Sequence, residues 1–124
     1  MLNSRSMKRL EGVHPDLVKV VLRAAELSDV QFIITEGLRS PERQKRLFES
    51  GASRTLKSRH LTGHAVDVAA LVDGAIVWSW HLYPRIAAAF KAAAAELSVP
   101  IVWGGSWPKF RDGPHFELSS AVYR

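Results

Sequence analysis

Apolar residues recur at helical spacing through Leu17, Val20, Val21, Ala24 and Leu27, and Pro15 ahead of them suits a first helical turn. The pattern then changes period. Phe32-Ile33-Ile34-Thr35 is a β-branched run that predicts a strand ending near Gly37. Ser40-Pro41 is a helix start, and residues 42–49 predict a second helix closed by Gly51. Residues 52–59 have no periodicity and predict a loop over the site. Ala65–Val72 reads as a mostly buried strand, Asp73-Gly74 as a type I′ turn and residues 75–78 as the returning strand. An alanine-rich helix is expected over residues 82–97, ending before Pro100, and short strands over Ile101–Trp103 and residues 116–118. Helices interspersed with a hairpin-containing sheet predict the α+β class: one small domain, residues 1–124, with a mainly antiparallel sheet flanked by helices.

One position breaks the apolar pattern. Asp67 sits inside Ala65-Val66-Asp67-Val68-Ala69-Ala70, and burying an ionised carboxylate is costly unless it is paired or binds a cation. His60 and His115, from two distant segments, can supply such a partner set. Two imidazoles and a carboxylate hold zinc and leave its fourth position open for water, as catalytic zinc requires. The same residues also fit a strand aspartate paired with an arginine, beside two satisfied histidines. The chain has no cysteine, which excludes disulfides and Cys-ligated zinc, so any zinc site here is built from His and carboxylate.

Asp112 stands three residues before His115, across Gly113-Pro114. A turn there would fold its carboxylate toward the metal, where it could take a proton from water and give it to a leaving amine. An ordinary turn aspartate is the alternative. Glu117 shares a strand face with His115 and is a candidate to orient that imidazole. His64 completes a His-x-x-x-His pair, but Leu61 occupies the place of the zincin glutamate, so a surface or cleft role is expected. His14 and His81 precede helices and are expected to cap them or lie on the surface.

The net charge of +5 suits an anionic polymer such as nucleic acid, a lipid surface or an acidic bacterial wall. The basic residues are scattered, however, and are expected to be mostly solvated surface. Trp78, Trp80, Trp103 and Trp107 are not interleaved with a basic stripe, which favours core and cleft roles over nucleic-acid binding. The N-terminal stretch has positive charge but no apolar segment behind it, and no apolar run reaches the roughly 20 residues needed to cross a bilayer. Synthesis in the cytoplasm and no membrane insertion are expected.

At this point the residues resemble a known group, the zinc D-alanyl-D-alanine carboxypeptidases, which includes vancomycin-resistance dipeptidases and phage L-alanyl-D-glutamate endopeptidases. The pattern Ser-x-His-x-x-Gly-x-Ala-x-Asp is met by Ser58, His60, Gly63, Ala65 and Asp67. Trp-Gly-Gly-x-Trp followed by Asp-x-x-His-Phe-Glu is met by Trp103, Gly104, Gly105, Trp107, Asp112, His115, Phe116 and Glu117. Upstream, Glu36-Gly37-Leu38-Arg39-Ser40 resembles the family's Gly-x-Arg segment, with Gln44 in the helix after it. The opening from Leu10 to Leu17 is similar to the start of phage members.

The resemblance implies the Hedgehog/D,D-peptidase type of α+β fold, one zinc ion on His60, Asp67 and His115, and Asp112 as general base. It implies that Arg39 faces the substrate, holding a carboxylate or polarising the scissile carbonyl, with Gln44, Ser58 and Trp103 as further substrate contacts. Many relatives carry glutamate where this chain has Asp112; the shorter aspartate, together with the compact length and the lack of a signal segment, points to a phage or prophage endolysin, for which the resemblance implies cleavage of the L-Ala–D-Glu bond of peptidoglycan stem peptides. A monomer is then expected, with no separate wall-binding domain, reaching the wall after release through a holin. Two alternatives stay open: a D-Ala–D-Ala carboxypeptidase of the same family, and a zinc-stabilised wall-binding module without turnover.

Overall fold

The computed structural model describes residues 2–53, 55–108 and 111–123. Along the chain run α1 (Ser4–Arg9), α2 (Pro15–Leu27), β1 (Gln31–Glu36), α3 (Pro41–Glu49), β2 (Ala65–Val72), β3 (Ala75–Val77), α4 (Tyr83–Leu97), β4 (Ile101–Trp103) and β5 (His115–Leu118). β2 is the axis of one antiparallel sheet. It pairs with β1 along one side, and along the other with β5 at its start and β3 at its end, while β4 adds beyond β5. Residues of both faces of β2 are buried, Ala65 and Ala69 on one and Val66, Val68 and Ala70 on the other, which explains why its sequence is almost continuously apolar.

Alternation along the strands separates two faces. Val66, Val68 and Ala70 of β2 join Phe116 and Leu118 of β5 in the core, under α2 and α4. Phe116 stacks on Phe90 of α4 at 3.9 Å between ring centroids. The buried alanines of α4, among them Ala87 and Ala93, let that helix approach closely. The opposite face carries the charged residues. There Asp67 lies across from His115 on β5 and from Glu36 on β1, after a bulge between Ile34 and Glu36. The register alone therefore brings three titratable groups into one row.

The local expectations hold in most places. Ser40 caps α3 by accepting the Arg43 amide at 3.1 Å. Asp73 and Gly74 take φ of 52° and 80°, the positive values that a type I′ turn needs. His14 caps α2, its Nδ1 accepting from the Asp16 amide at 3.1 Å, and His81 is exposed in a 3-10 turn.

Two expectations are corrected. α1 was not anticipated; its polar sequence has no apolar period, and tertiary contacts hold it instead. Ser6 is fully buried and its Oγ accepts from the Ile34 amide at 2.9 Å, while Arg9 donates to the Ile34 carbonyl at 3.0 Å. These contacts satisfy an edge of β1 that would otherwise be bare. Trp78 and Trp80, expected in core or cleft, are 59% and 45% exposed. They stack on Tyr83 and Trp103 respectively.

Candidate metal centre

His60 sits in a 3-10 turn (Arg59–Thr62) whose N-cap is Ser58, with Ser58 Oγ accepting from the His60 amide at 3.2 Å. The turn ends on Gly63 at φ 74°, a conformation that disfavours a side chain; a Cβ there would also collide with the Gly12 carbonyl. The Gly63 carbonyl accepts the His14 amide at 2.8 Å, and the Arg39 amide donates to the His60 carbonyl at 3.0 Å. His60 is thus pinned from two sides. At 1% exposure it forms the floor of the site.

His60, Asp67 and His115 offer ligand atoms that all lie within 4.8 Å of one another. Asp67 Oδ2 is 3.3 Å from His60 Nε2, and its Oδ1 is 3.3 Å from His115 Nδ1. These separations exceed those of charge-assisted hydrogen bonds, about 2.7–2.9 Å. Each is close to the ~3.4 Å separation of two donor atoms on one zinc with bonds near 2.1 Å, the two histidines facing different oxygens of the carboxylate.

The outer nitrogens are already engaged. His60 Nδ1 donates to the Gly37 carbonyl at 2.9 Å, which fixes its tautomer and leaves Nε2 facing inward. His115 Nε2 lies 2.8 Å from Glu117 Oε1, leaving Nδ1 inward. Ligand histidines of metal sites are held in this way. Glu117 therefore has the orienting position expected from the sequence. Arg59 approaches it at 3.7 Å, and also donates to the Leu118 and Tyr123 carbonyls.

The electrostatics follow from this packing. Burial works against ionising Asp67, yet the two imidazoles hold its carboxyl well below the usual carboxylate range. Burial also works against charging His115, but Asp67 and Glu117 outweigh it and raise the imidazole to about 9. Asp112 moves the other way: burial and the charge of Asp67 push its carboxyl up, opposed by His115, His60 and Arg39. A carboxylate raised in this way is a better proton acceptor than an exposed one. The Asp112 amide donates to the Gly104 carbonyl at 3.1 Å, and a Cβ on Gly104 would strike the Asp112 carbonyl. The glycine of the Trp-Gly-Gly segment is what lets this loop close on the site.

One cleft of about 570 Å³ collects Arg39, His60, Asp67, Asp112 and His115 on its floor with Ser53, Thr55, Ser58, Trp107 and Arg111 around them. The aperiodic stretch after α3 does form part of its wall. Arg39 is 8% exposed and already committed. It donates to Gln44 Oε1 at 2.7 Å and Glu36 Oε1 at 2.6 Å, and it stands 3.5 Å from Asp67. Glu36 also holds Arg43 at 2.6 Å.

Two expected substrate contacts are corrected. Gln44 is 1% exposed, and its amide is spent on Arg39, Ser53 Oγ and the Thr55 carbonyl, so it positions rather than contacts. Trp103 lies outside the cleft lining and donates its Nε1 to the Gly113 carbonyl at 2.7 Å. Trp107, the second tryptophan of the same motif, faces the cleft instead, 5.2 Å from the His115 ring. His64 stays outside the cluster, bonded to Thr62 and packed near His14. Sequence reasoning missed Glu36 as the partner of Arg39, and missed Arg111.

Comparison with known proteins agrees with this geometry. An L-alanyl-D-glutamate peptidase of Escherichia phage T5 is 34% identical over 122 residues, 95% of this chain and 88% of that protein. The peptidoglycan L-alanyl-D-glutamate endopeptidase CwlK of Bacillus subtilis is 29% identical over 108 residues, 77% of this chain and 65% of that protein. Among solved structures, the L-Ala D-Glu endopeptidase ChiX of Serratia marcescens superposes with a TM-score of 0.94 at 48% identity, covering 99% of this chain and 93% of that one. The family model for phage L-alanyl-D-glutamate peptidases matches residues 1–119, and the chain belongs to that family.

Proposed function

We propose that this chain is a zinc-dependent peptidoglycan peptidase that cuts the L-Ala–D-Glu bond of stem peptides, in the manner of a phage or prophage endolysin. The observation that carries this reading is the convergence of His60, Asp67 and His115 within 4.8 Å, in a cleft that also holds Asp112. The donor set suits zinc: two imidazoles of fixed tautomer and one carboxylate, with no thiolate. Zinc bound there supplies Lewis acidity and lowers the pKa of water enough to make hydroxide available near neutral pH.

The chain's own residues do the rest. Asp112, with its raised proton affinity, takes the proton of the attacking water and delivers it to the departing amine. Arg39, held rigid by Glu36 and Gln44, keeps positive charge beside Asp67 to meet the negative charge developing on the carbonyl oxygen. Glu117 and the Gly37 carbonyl hold both imidazoles in register. Ser58 acts through the His60 turn that it caps.

Residues 1–124 act as a single catalytic domain in this reading, as a monomer without nucleic acid. No described helix is long and apolar enough to cross a membrane; in this reading a holin lets the protein through to the wall. Digestion of purified walls by the zinc-loaded protein should release fragments with new N-terminal glutamate. Release of D-alanine alone from a pentapeptide would instead assign the terminal-bond specificity, and the absence of any cleavage would overturn the enzymatic reading.

A further inference from the structure

Among the described residues two arginines line the cleft, and they are not equivalent. Arg39 is buried and tied to Glu36 and Gln44 through its two terminal nitrogens, with its Nε buried and without a hydrogen-bond partner among the described residues. Arg111 is exposed, lines the same cleft and pairs with no carboxylate among the described residues. It is nevertheless not loose on the surface. Its guanidinium carbon stands 5.8 Å from the centroid of the Trp80 ring, within cation–π range. Trp80 stacks on Trp103 at 5.9 Å, and Trp103 is anchored by its bond to the Gly113 carbonyl. A Cβ on Gly113 would meet the Trp80 ring at 3.0 Å, so the indole pair packs directly against the turn that carries Asp112. Trp80, backed by Trp103, thus braces a cation that has no carboxylate partner among the described residues.

On the proposed reading of the function, the residue on the amine side of the cut is a glutamate. Its nitrogen is in the scissile bond, and the rest of the peptide takes at most one of its two carboxyl groups. A free carboxylate therefore lies within a few atoms of the leaving nitrogen. Asp112 serves that nitrogen, and Arg111 is its immediate neighbour in the chain. A planar guanidinium pairs with a carboxylate through two parallel hydrogen bonds, which lysine cannot reproduce.

We propose that Arg111, braced on Trp80, is a specificity residue that binds the free carboxylate of the glutamate on the leaving side of the scissile bond. This rests on the L-Ala–D-Glu reading and assigns the side chain that makes the glutamate recognisable.

The test uses three synthetic stem peptides: one unmodified, one amidated at the free glutamyl carboxyl, and one amidated at a downstream carboxyl. Zinc-loaded wild type and Arg111→Gln are assayed on each. Amidation at glutamate should lower the wild-type kcat/KM by about 10- to 100-fold, mostly through KM. Arg111→Gln should lose that factor on the unmodified peptide and nothing further on the glutamyl-amidated one, with Arg111→Lys in between. Downstream amidation should leave the ratio between wild type and variant unchanged. Calorimetric binding of the uncleaved unmodified peptide to zinc-loaded Asp112→Asn and to Arg111→Gln/Asp112→Asn gives the same comparison without turnover. Equal losses on all peptides, or a ratio that follows the downstream carboxyl, would overturn this assignment while leaving the peptidase reading intact. No cleavage of any peptide by wild type would instead sink the peptidase reading; equal binding of the unmodified peptide by both Asp112→Asn forms would then sink this one separately.

Discussion

The floor and the rim of the cleft are built on different terms. On the floor, His60, His115 and Arg39 are between 1% and 8% exposed, and their outward polar atoms go to Gly37, Glu117, Glu36 and Gln44. Around the rim, Ser53, Thr55, Trp107 and Arg111 come from irregular segments, and Arg111 reaches solvent. The floor is preorganised by register and burial, so it can hold an ion before any peptide arrives. Ser53 and Thr55 are tied to Gln44 and to each other, so on the proposed reading discrimination among peptides falls to the more accessible Arg111. Such a division is expected when precise geometry is placed on strands and variable contacts are left to loops.

The sharpest way to break this comparison is at Asp112, which joins the two regions. Asp112→Asn should lower kcat by about 10²- to 10⁴-fold while bound zinc stays at one per chain. Loss of the metal along with activity would instead make Asp112 part of the ion's binding set.

Next in size is the floor's support. Glu117→Gln should weaken zinc binding by about 10- to 100-fold, because the neutral amide no longer raises the basicity of the His115 imidazole toward the metal or fixes its ring as a carboxylate does. Competition with a chromophoric chelator reads this directly, and an unchanged affinity would reduce Glu117 to a surface partner of Arg59.

Protons compete for the same nitrogen. In the metal-free protein His115 titrates near 9, above its ordinary 6.5, so its charged form stabilises the fold fully below about 6.5. That contribution is lost as pH rises through about 9. Zinc at Nδ1 displaces this proton, so affinity should rise with pH up to about 9, by as much as tenfold per unit, and then level off as far as this group is concerned. Calorimetry in buffers of differing ionisation enthalpy counts the released proton. A flat affinity from pH 6 to 9 would contradict His115 as a ligand.

The smallest effect on chemistry is expected where floor meets rim. Gln44→Ala removes the bonds to Arg39, Ser53 and Thr55, and should cost about 1–3 kcal/mol in urea unfolding while zinc stoichiometry is kept. Unchanged stability would mean that the rim does not depend on this bridge.

The same contrast governs what could be read from the sequence. Asp67 was legible because a charge inside an apolar strand demands a partner, and the Asp73-Gly74 turn because few dipeptides tolerate two positive φ values. The two histidines and Asp112 followed from motif spacing. α1 was not legible, since Ser6 and Arg9 are fixed by Ile34, 28 and 25 residues away. Glu36 needed the bulge in β1, which sets it opposite Asp67. Direction was the other hidden quantity: residue type could not say that Gln44 points inward, nor that Trp107 rather than Trp103 faces the cleft. Floor residues announce themselves by breaking a pattern, whereas rim residues are defined by orientation alone.

The most direct test is zinc-edge X-ray absorption on protein loaded with one equivalent of zinc. The account predicts two imidazole nitrogens and one carboxylate oxygen at about 2.0–2.2 Å, with the fourth position not supplied by the protein. That signal should collapse in Asp67→Ala and persist in Asp112→Asn. Failure to retain zinc, or a first shell filled by four protein ligands, would contradict it.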